Sequence, residues 1–392
     1  MATLFLKRGR ANPLWQGHPW VYSGAIARED GTYQPGDVVD VADAEGRFIG
    51  RGFVNPRSQI RVRMMTARDE AIDAALIARR VKEAAGLRTR LGFPSEATDA
   101  YRLVNSEGDA LPGVIVDVYG DVCAVQFTAL GMKKREVELY DALAAHLEPK
   151  AIVEVAAGGF AQVEGFASAT RTVRGDDAHA RLVRCRENGL TLEVDPLHGQ
   201  KTGMFLDQRE NRRMLASLAK GARVLDVYTY AGGFALNAIA GGAREAICVD
   251  ASSRALERVR AHAELNKLAG IETVEADAFR FLETVKPRSF DIVVLDPPKF
   301  ARARKDLDAA LKGYQRLNTL GMTACAEGAL LATCSCSQLV DEESFERMVA
   351  GAAKDAGRRV QLLSTSSQGP DHPVPPAFPE GRYLKFLLCR VV

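Results

Sequence analysis

The chain has 392 residues, 47% of them hydrophobic and 26% charged, the balance of an ordinary globular protein of two or three domains. A net charge of +2 gives no whole-chain case for nucleic-acid binding, no apolar run reaches membrane length, and the opening "MATLFLKRGR" is too short an apolar stretch for a secretion signal. The seven cysteines (Cys123, Cys185, Cys248, Cys325, Cys334, Cys336, Cys389) are odd in number and scattered, which points to reduced thiols and a cytoplasmic location, not a disulfide framework.

Residues 1–68 alternate and turn like a small β-barrel, with "GDVVDVADAEGRFIGRGFVNPRSQIRVRMM" broken at "AEG" and "NPRS". Ten Lys and Arg face six Asp and Glu in this segment, a basic module suited to phosphate contact or simply a solvated face. Helical spacing over 69–91 predicts a helix. Strands at "LPGVIVDVYGDVCAVQFT", a helix from about 131 to 147, and strands at "AIVEVA" and "RLVRCRENGLTLEVD" complete a second, α+β unit over 69–195. From 196 to 392 strand and helix alternate strictly. "ARVLDVYTY", "EAICVD", "ETVEAD", "FDIVVLDPP" and "ALLATCSCS" read as continuous apolar strands of a parallel sheet covered on both faces. "VQLLSTS" and "YLKFLLCRVV", joined by the Pro-rich "SQGPDHPVPPAFPEG", predict a terminal hairpin with one antiparallel strand. This is the doubly wound α/β architecture of class I S-adenosylmethionine (SAM) methyltransferases.

Ligands of such sheets sit beyond the carboxyl ends of the strands. The first end, "LDVYTYAGGFALNA", carries Asp226 and a turn at Gly232 and Gly233 that lets the backbone approach a ligand. The second strand ends in Asp250, placed for ribose hydroxyls, and the third in Asp277. Glycines after a strand can be turn residues alone, and Asp250 could be a helix cap, but three consecutive strands ending in Asp predict a nucleoside cofactor. "YTYAGGF" is not the G-x-G-x-x-G cradle a dinucleotide pyrophosphate needs, so SAM is preferred over NAD. Contacts are expected from Asp226, Tyr228, Gly232, Gly233, Phe234, Asp250, Ser252, Asp277, Ala278 and Asp296.

The fourth strand ends "LDPPKFARARK". Asp296 stands where it can face both the transferred methyl and a substrate base, and the prolines make a rigid rim. Lys299, Arg302, Arg304 and Lys305 then form a basic loop suited to RNA phosphates. In "ALLATCSCSQ", strand parity puts Cys334 and Cys336 on one face, with Cys336 nearer the carboxyl end. No second Cys or His pair completes a zinc set, so no metal is expected.

These stretches resemble the large-subunit (23S) rRNA cytosine-5 methyltransferase I family, over nearly the whole chain. "GHPWVYSGAI" and "GDVVDVADAEGRFIGRGFVNPRSQIRVR" resemble its PUA domain, and "YRLVNSEGDALPGVIVDVYGD" its middle domain. "HGQKTGMFLDQRENRR", "LDVYTYAGGFALNA", "LDPPKF" and "CSCS" resemble its catalytic motifs. The resemblance implies that Phe205, Asp207, Gln208 and Arg209 lie near SAM, and that a cytosine of 23S rRNA, free or in an assembly intermediate, is methylated at carbon 5. In that chemistry a thiolate adds to carbon 6. The family's Ser-Cys-Ser matches Ser335, Cys336 and Ser337, so Cys336 is the expected nucleophile and Cys334 the packing residue, with Asp296 the candidate acid near ring nitrogen 3. Lys299 follows the prolines where many RNA 5-methylcytosine enzymes carry a second cysteine, which leaves the proton-removing base open. The rivals are a SAM enzyme acting on an exocyclic amine and a non-catalytic RNA-binding assembly factor. The oligomeric state stays open, a homodimer included.

Overall fold

The structure is a computed structural model and describes residues 1–199, 202–301 and 303–392; Arg302, expected in the basic loop, lies outside the described residues. The chain forms two compact units, each discontinuous in sequence. The first comprises Met1–Gly189, Glu193–Leu206 and Pro370–Gly381, the second Leu190–Leu192, Asp207–Gly369 and Arg382–Val392.

Two sheets build the first unit. Six strands between Thr3 and Thr66 form one mixed sheet, in which Thr3–Leu6 pairs parallel to Val38–Ala42 and antiparallel to Ile26–Asp30. Gly50 and Gly52 are obligatory there: a Cβ would lie 2.4 Å from the Thr66 carbonyl or 2.2 Å from the Arg63 carbonyl. Five strands between Ala100 and Arg174 form the second sheet, against which the helix Ala74–Arg90, capped by Asp73, packs its Leu76, Ile77 and Val81. The helix expected over 131–147 is two, Leu130–Lys133 and Glu136–Leu147, because Arg135 leaves helical geometry at φ −114°, ψ 24°. Phe53 from the first sheet is buried in one core with Leu103, Val116 and Phe127.

The Pro-rich segment reads as a connector in the sequence. Its residues Pro370–Gly381 instead complete the first unit. The Asp371 carboxylate accepts the Arg102 N–H at 2.9 Å, its carbonyl accepts Arg88 at 2.7 Å, and Phe378 packs edge-on to Trp20 with ring centroids 4.5 Å apart.

The second unit holds seven strands: β1 (Arg223–Val227), β2 (Glu245–Asp250), β3 (Ile271–Glu275), β4 (Phe290–Leu295), β5 (Cys325–Ser335), β6 (Val360–Ser366) and β7 (Lys385–Val391). Their order is β3-β2-β1-β4-β5-β7-β6. β1 to β5 run parallel, and β7 pairs antiparallel to both β5 and β6, as the sequence predicts. The inner strands β1, β2, β4 and β7 are mostly apolar because helices cover both faces, whereas the edge strands β3 and β6 carry polar, accessible residues. One core gathers Leu225, Val293, Tyr314 and Phe345, the opposite one Val224, Val294, Phe234 and Phe386. The order reverses at β1 and β4, so their carboxyl ends open the crevice where such sheets bind ligands.

Candidate active site

Asp226, next to last in β1, is fully buried. Its Oδ2 accepts the Thr229 hydroxyl at 2.6 Å and the Ala235 N–H at 3.1 Å, while Oδ1 has no hydrogen-bond partner. Burial pushes this carboxyl up to about 7, and the charges of Asp296 and Asp250 add to the rise. A buried acceptor without a donor costs about 1–3 kcal/mol, a cost that a cationic ligand group removes. The ammonium of SAM's amino-acid end is such a group, so the residues fit the expected cofactor.

The turn after β1 is wound tightly. Tyr228 and Tyr230 hold positive φ (62° and 50°), a costly region for side-chain-bearing residues. Gly232, at φ +83°, starts the helix Gly233–Ala240, and a Cβ there would come within 3.1 Å of Leu236 and Val259. The loop is pinned from β2: Asp250 Oδ2 accepts the Tyr230 N–H and Oδ1 the Ser252 N–H, both at 2.9 Å. Each oxygen keeps a second lone pair for a ligand hydroxyl. The cap of the following helix Ser253–Leu265 is Ser252, not Asp250. Asp277, exposed, caps Ala278–Thr284 by accepting the Arg280 N–H. Burial raises Tyr228 to about 12, and the charges of Asp277 and Asp250 add to the rise. Phe234 is a core residue stacked on Phe386, and Ala278 is buried in the opposite core.

A second group converges beside β4. Gln208 Nε2 donates to Asp296 Oδ2 at 3.1 Å, Asn211 Nδ2 donates to Gln208 Oε1 at 2.6 Å, and the Ser366 hydroxyl donates to Asn211 Oδ1 at 2.6 Å. Asp207 accepts the Tyr383 hydroxyl at 2.7 Å, and Arg209 is buried beside Glu210. Burial and the Asp207 charge lift Asp296 to about 6, against the pull of Gln208, Arg212 and the Cys334 thiol. Asp296 keeps part of its surface accessible, so it can meet a substrate while staying protonated at higher pH than an ordinary carboxyl. Phe205 belongs to the first unit, whereas Asp207, Gln208 and Arg209 belong to the second.

The two cysteines part company at the end of β5. Cys334 is fully buried, and burial with the neighbouring Asp296 carboxylate pushes its thiol well above the ordinary range. Cys336 lies one residue past the strand and is partly exposed. Its flanking serines are both buried on Tyr314: Ser335 donates to the Tyr314 oxygen, and Ser337 Oγ and that oxygen share a hydrogen bond, each at 3.1 Å. A Ser-Cys-Ser triplet clamped by its serines fixes the backbone of the cysteine between them. Beyond β4, Lys299, Arg304 and Lys305 are exposed, with a short 3₁₀ turn over Arg304–Asp306.

Sequence reasoning missed Thr229, Tyr230, Tyr314 and Lys385. The first three carry no local signal, since a mid-helix Tyr and a turn residue look alike wherever they occur. Lys385 does carry one, as a charge interrupting the apolar run "YLKFLLCRVV". Among the described residues no group of three or more His, Cys, Asp or Glu could hold a metal ion, and no helix is long and apolar enough to cross a membrane. Two surface cavities of about 530 and 450 Å³ are lined by first-unit residues, so neither contains these strand ends.

Residues 4–67 match a PUA-like domain family, and residues 166–360 match an S-adenosylmethionine-dependent methyltransferase family. The chain is 38% identical over 394 residues to "Ribosomal RNA large subunit methyltransferase I" of Shigella dysenteriae, covering 99% of this chain and 98% of that one. The Escherichia coli O139:H28 protein of the same name is also 38% identical, with 99% of both chains covered. Among solved structures, a chain assigned to the SAM-dependent methyltransferases from Streptococcus mutans superposes over the full length of both chains with TM-score 0.84 at 21% identity. SMU.776 in complex with SAH does so with TM-score 0.86 at 21% identity.

Proposed function

The chain belongs to the ribosomal RNA large subunit methyltransferase I family of SAM-dependent methyltransferases, and on that premise we propose that it forms 5-methylcytosine in 23S rRNA through a covalent adduct on Cys336. The observation that carries this reading is the strand-end triplet: Cys336 is partly exposed between two buried serines held by Tyr314, while its neighbour Cys334 is sealed in the core. Carbon 5 of cytosine is too weak a nucleophile to take a methyl unaided. The Cys336 thiolate pair would form a sulfur–carbon 6 bond, and ring electrons move toward nitrogen 3, where protonated Asp296 donates. Carbon 5, now enamine-like, takes the methyl. SAM supplies that methyl as an electrophilic sulfonium. Loss of the carbon 5 proton to a base not yet assigned and cleavage of the sulfur–carbon bond restore the ring.

The cofactor is held, on this reading, by Asp226, Asp250 and the Gly232–Gly233 turn, with Phe205, Asp207, Gln208, Arg209, Tyr228, Phe234, Ser252, Asp277 and Ala278 around it. RNA, as 23S rRNA or an assembly intermediate in the cytoplasm, is gripped by the basic segment 1–68 and by Lys299, Arg302, Arg304 and Lys305, and the target base swings out of its stack. RNA carrying 5-fluorocytosine tests the chemistry, because fluorine blocks the final elimination and leaves a protein–RNA adduct. Wild type and Cys334→Ala should trap it, and Cys336→Ala should not while still binding SAM. An adduct kept by Cys336→Ala and lost in Cys334→Ala would overturn the assignment.

A further inference from the structure

Lys385 opens β7 directly opposite Ser335, the residue before Cys336. It is 8% exposed, and its Nζ donates to the Ser337 carbonyl at 2.6 Å and the Tyr383 carbonyl at 2.8 Å. One ammonium is thus tied by its backbone register to the residue before Cys336 and by its head group to the residue after it. A buried ammonium is costly without a nearby anion, yet among the described residues no carboxylate forms an ion pair with it. Two neutral carbonyls satisfy two of its three protons. The charged and titratable groups whose electrostatic influence reaches it include Cys336, Lys299, Asp341 and Glu342. Burial lowers Lys385 to about 8, and the largest opposing influence is the negative charge of the Cys336 sulfur, ahead of either carboxylate. That attraction is mutual. Tyr314 and Cys334 also sense the Cys336 charge, and neither carries a positive charge.

We propose that Lys385 is a positioning residue for methyl transfer, whose ammonium, pinned on the carbonyl that follows Cys336, holds the Cys336 sulfur as a thiolate. The inference rests on the reading of Cys336 as the nucleophile. An ordinary cysteine is only a few per cent thiolate near neutrality, and a fixed positive charge in a partly dry site favours the charged sulfur. Lys385 exchanges no proton with the ring in this role. Its charge and its hydrogen bond act together: one favours the thiolate, the other fixes the backbone that aims it. The same role accounts for a buried lysine as the first residue of β7, where Met or Leu would pack without the cost of burying charge.

The test is the pH profile of iodoacetamide alkylation at Cys336, read by mass spectrometry of its peptide in the full chain without RNA. In wild type the midpoint should lie at least about one pH unit below that of an ordinary cysteine, about 8.5. Lys385→Met should raise the midpoint by about one unit and slow alkylation at pH 7 about tenfold, and Lys385→Arg, which keeps the charge, should restore most of both. SAM affinity measured on each variant confirms the fold. A wild-type midpoint at or above the ordinary value overturns the inference without any variant, and so does a Lys385→Met profile superposable on wild type. The 5-fluorocytosine trap separates the two readings. An adduct from wild type with an ordinary Cys336 midpoint leaves the proposed reaction standing and removes Lys385 from it. A lowered midpoint that depends on Lys385 with no adduct keeps the charge coupling between Lys385 and Cys336 but overturns both the proposed reaction and the role of Lys385 in it.

Discussion

Replacing Asp226 with Asn probes the electrostatics at the end of β1 in the protein without cofactor. The carboxyl is fully buried, and burial, with the Asp296 and Asp250 charges behind it, raises it from 3.8 to about 7. A carboxyl with a higher proton affinity in the folded than in the unfolded chain stabilises the fold when protonated. That contribution is complete below the unfolded value and is lost as pH rises through the folded one. With 3.8 and about 7 as the two values, the loss between pH 5 and pH 8 is about 2–3 kcal/mol. Asn is nearly isosteric, its carbonyl can still accept from Thr229 and Ala235, and it does not titrate. The stability of Asp226→Asn minus that of wild type should therefore grow by about 2–3 kcal/mol across this window, or about 5–10 °C in Tm for a unit of this size. Both tryptophans, Trp15 and Trp20, lie in the first unit, so calorimetric scans at a series of pH values are preferred to fluorescence. Parallel profiles for the two proteins would refute the reasoning, since they would mean that Asp226 titrates alike in the folded and unfolded chains.

Asp250→Ala should weaken SAM binding roughly tenfold to a hundredfold, the loss of one or two charged hydrogen bonds, and calorimetry giving unchanged affinity in a folded variant would remove the ribose assignment. Gly232→Ala should destabilise the second unit by about 1–2 kcal/mol, because φ +83° is unfavourable for Ala and its Cβ would sit 3.1 Å from Leu236 and Val259; a urea midpoint equal to wild type would contradict the turn geometry. Alanine at Lys299, Arg304 and Lys305 together should lower RNA affinity and flatten its dependence on salt by up to about 0.7 in log–log slope per lost phosphate contact, and an unchanged slope would take the loop out of the RNA groove. The contribution of residues 1–68 is best read with Arg8→Glu and Arg10→Glu, both exposed, because Phe53 shares its core with Leu103 and Phe127 and deletion would open that core. These two changes should weaken RNA binding and leave SAM affinity intact.

What could be read from the sequence was whatever local pattern dictates. The inner strands of the second unit are mostly apolar runs, and a run of that kind is stable only with both faces covered. The turn at Gly232 and the carboxylates at the ends of β1, β2 and β4 follow from chain order, because a parallel sheet delivers the residues after each strand to one edge. Composition could not tell which of two neighbouring thiols is accessible. Cys334 and Cys336 differ in burial because β5 ends at Ser335, and because Tyr314, on a helix with no local mark of its role, holds the serines on either side of Cys336. The Gln208–Asp296 hydrogen bond across 88 positions and Lys385 beneath the Ser337 carbonyl are likewise long-range facts. The Pro-rich segment is the plainest case. Its proline content announces a connector, but Asp371 and Phe378 complete the first unit through partners more than 250 positions away, the backbone N–H of Arg102 and the ring of Trp20. Local sequence sets which conformations a segment can adopt; which buried donor or ring it meets is settled only when distant segments pack into a common core.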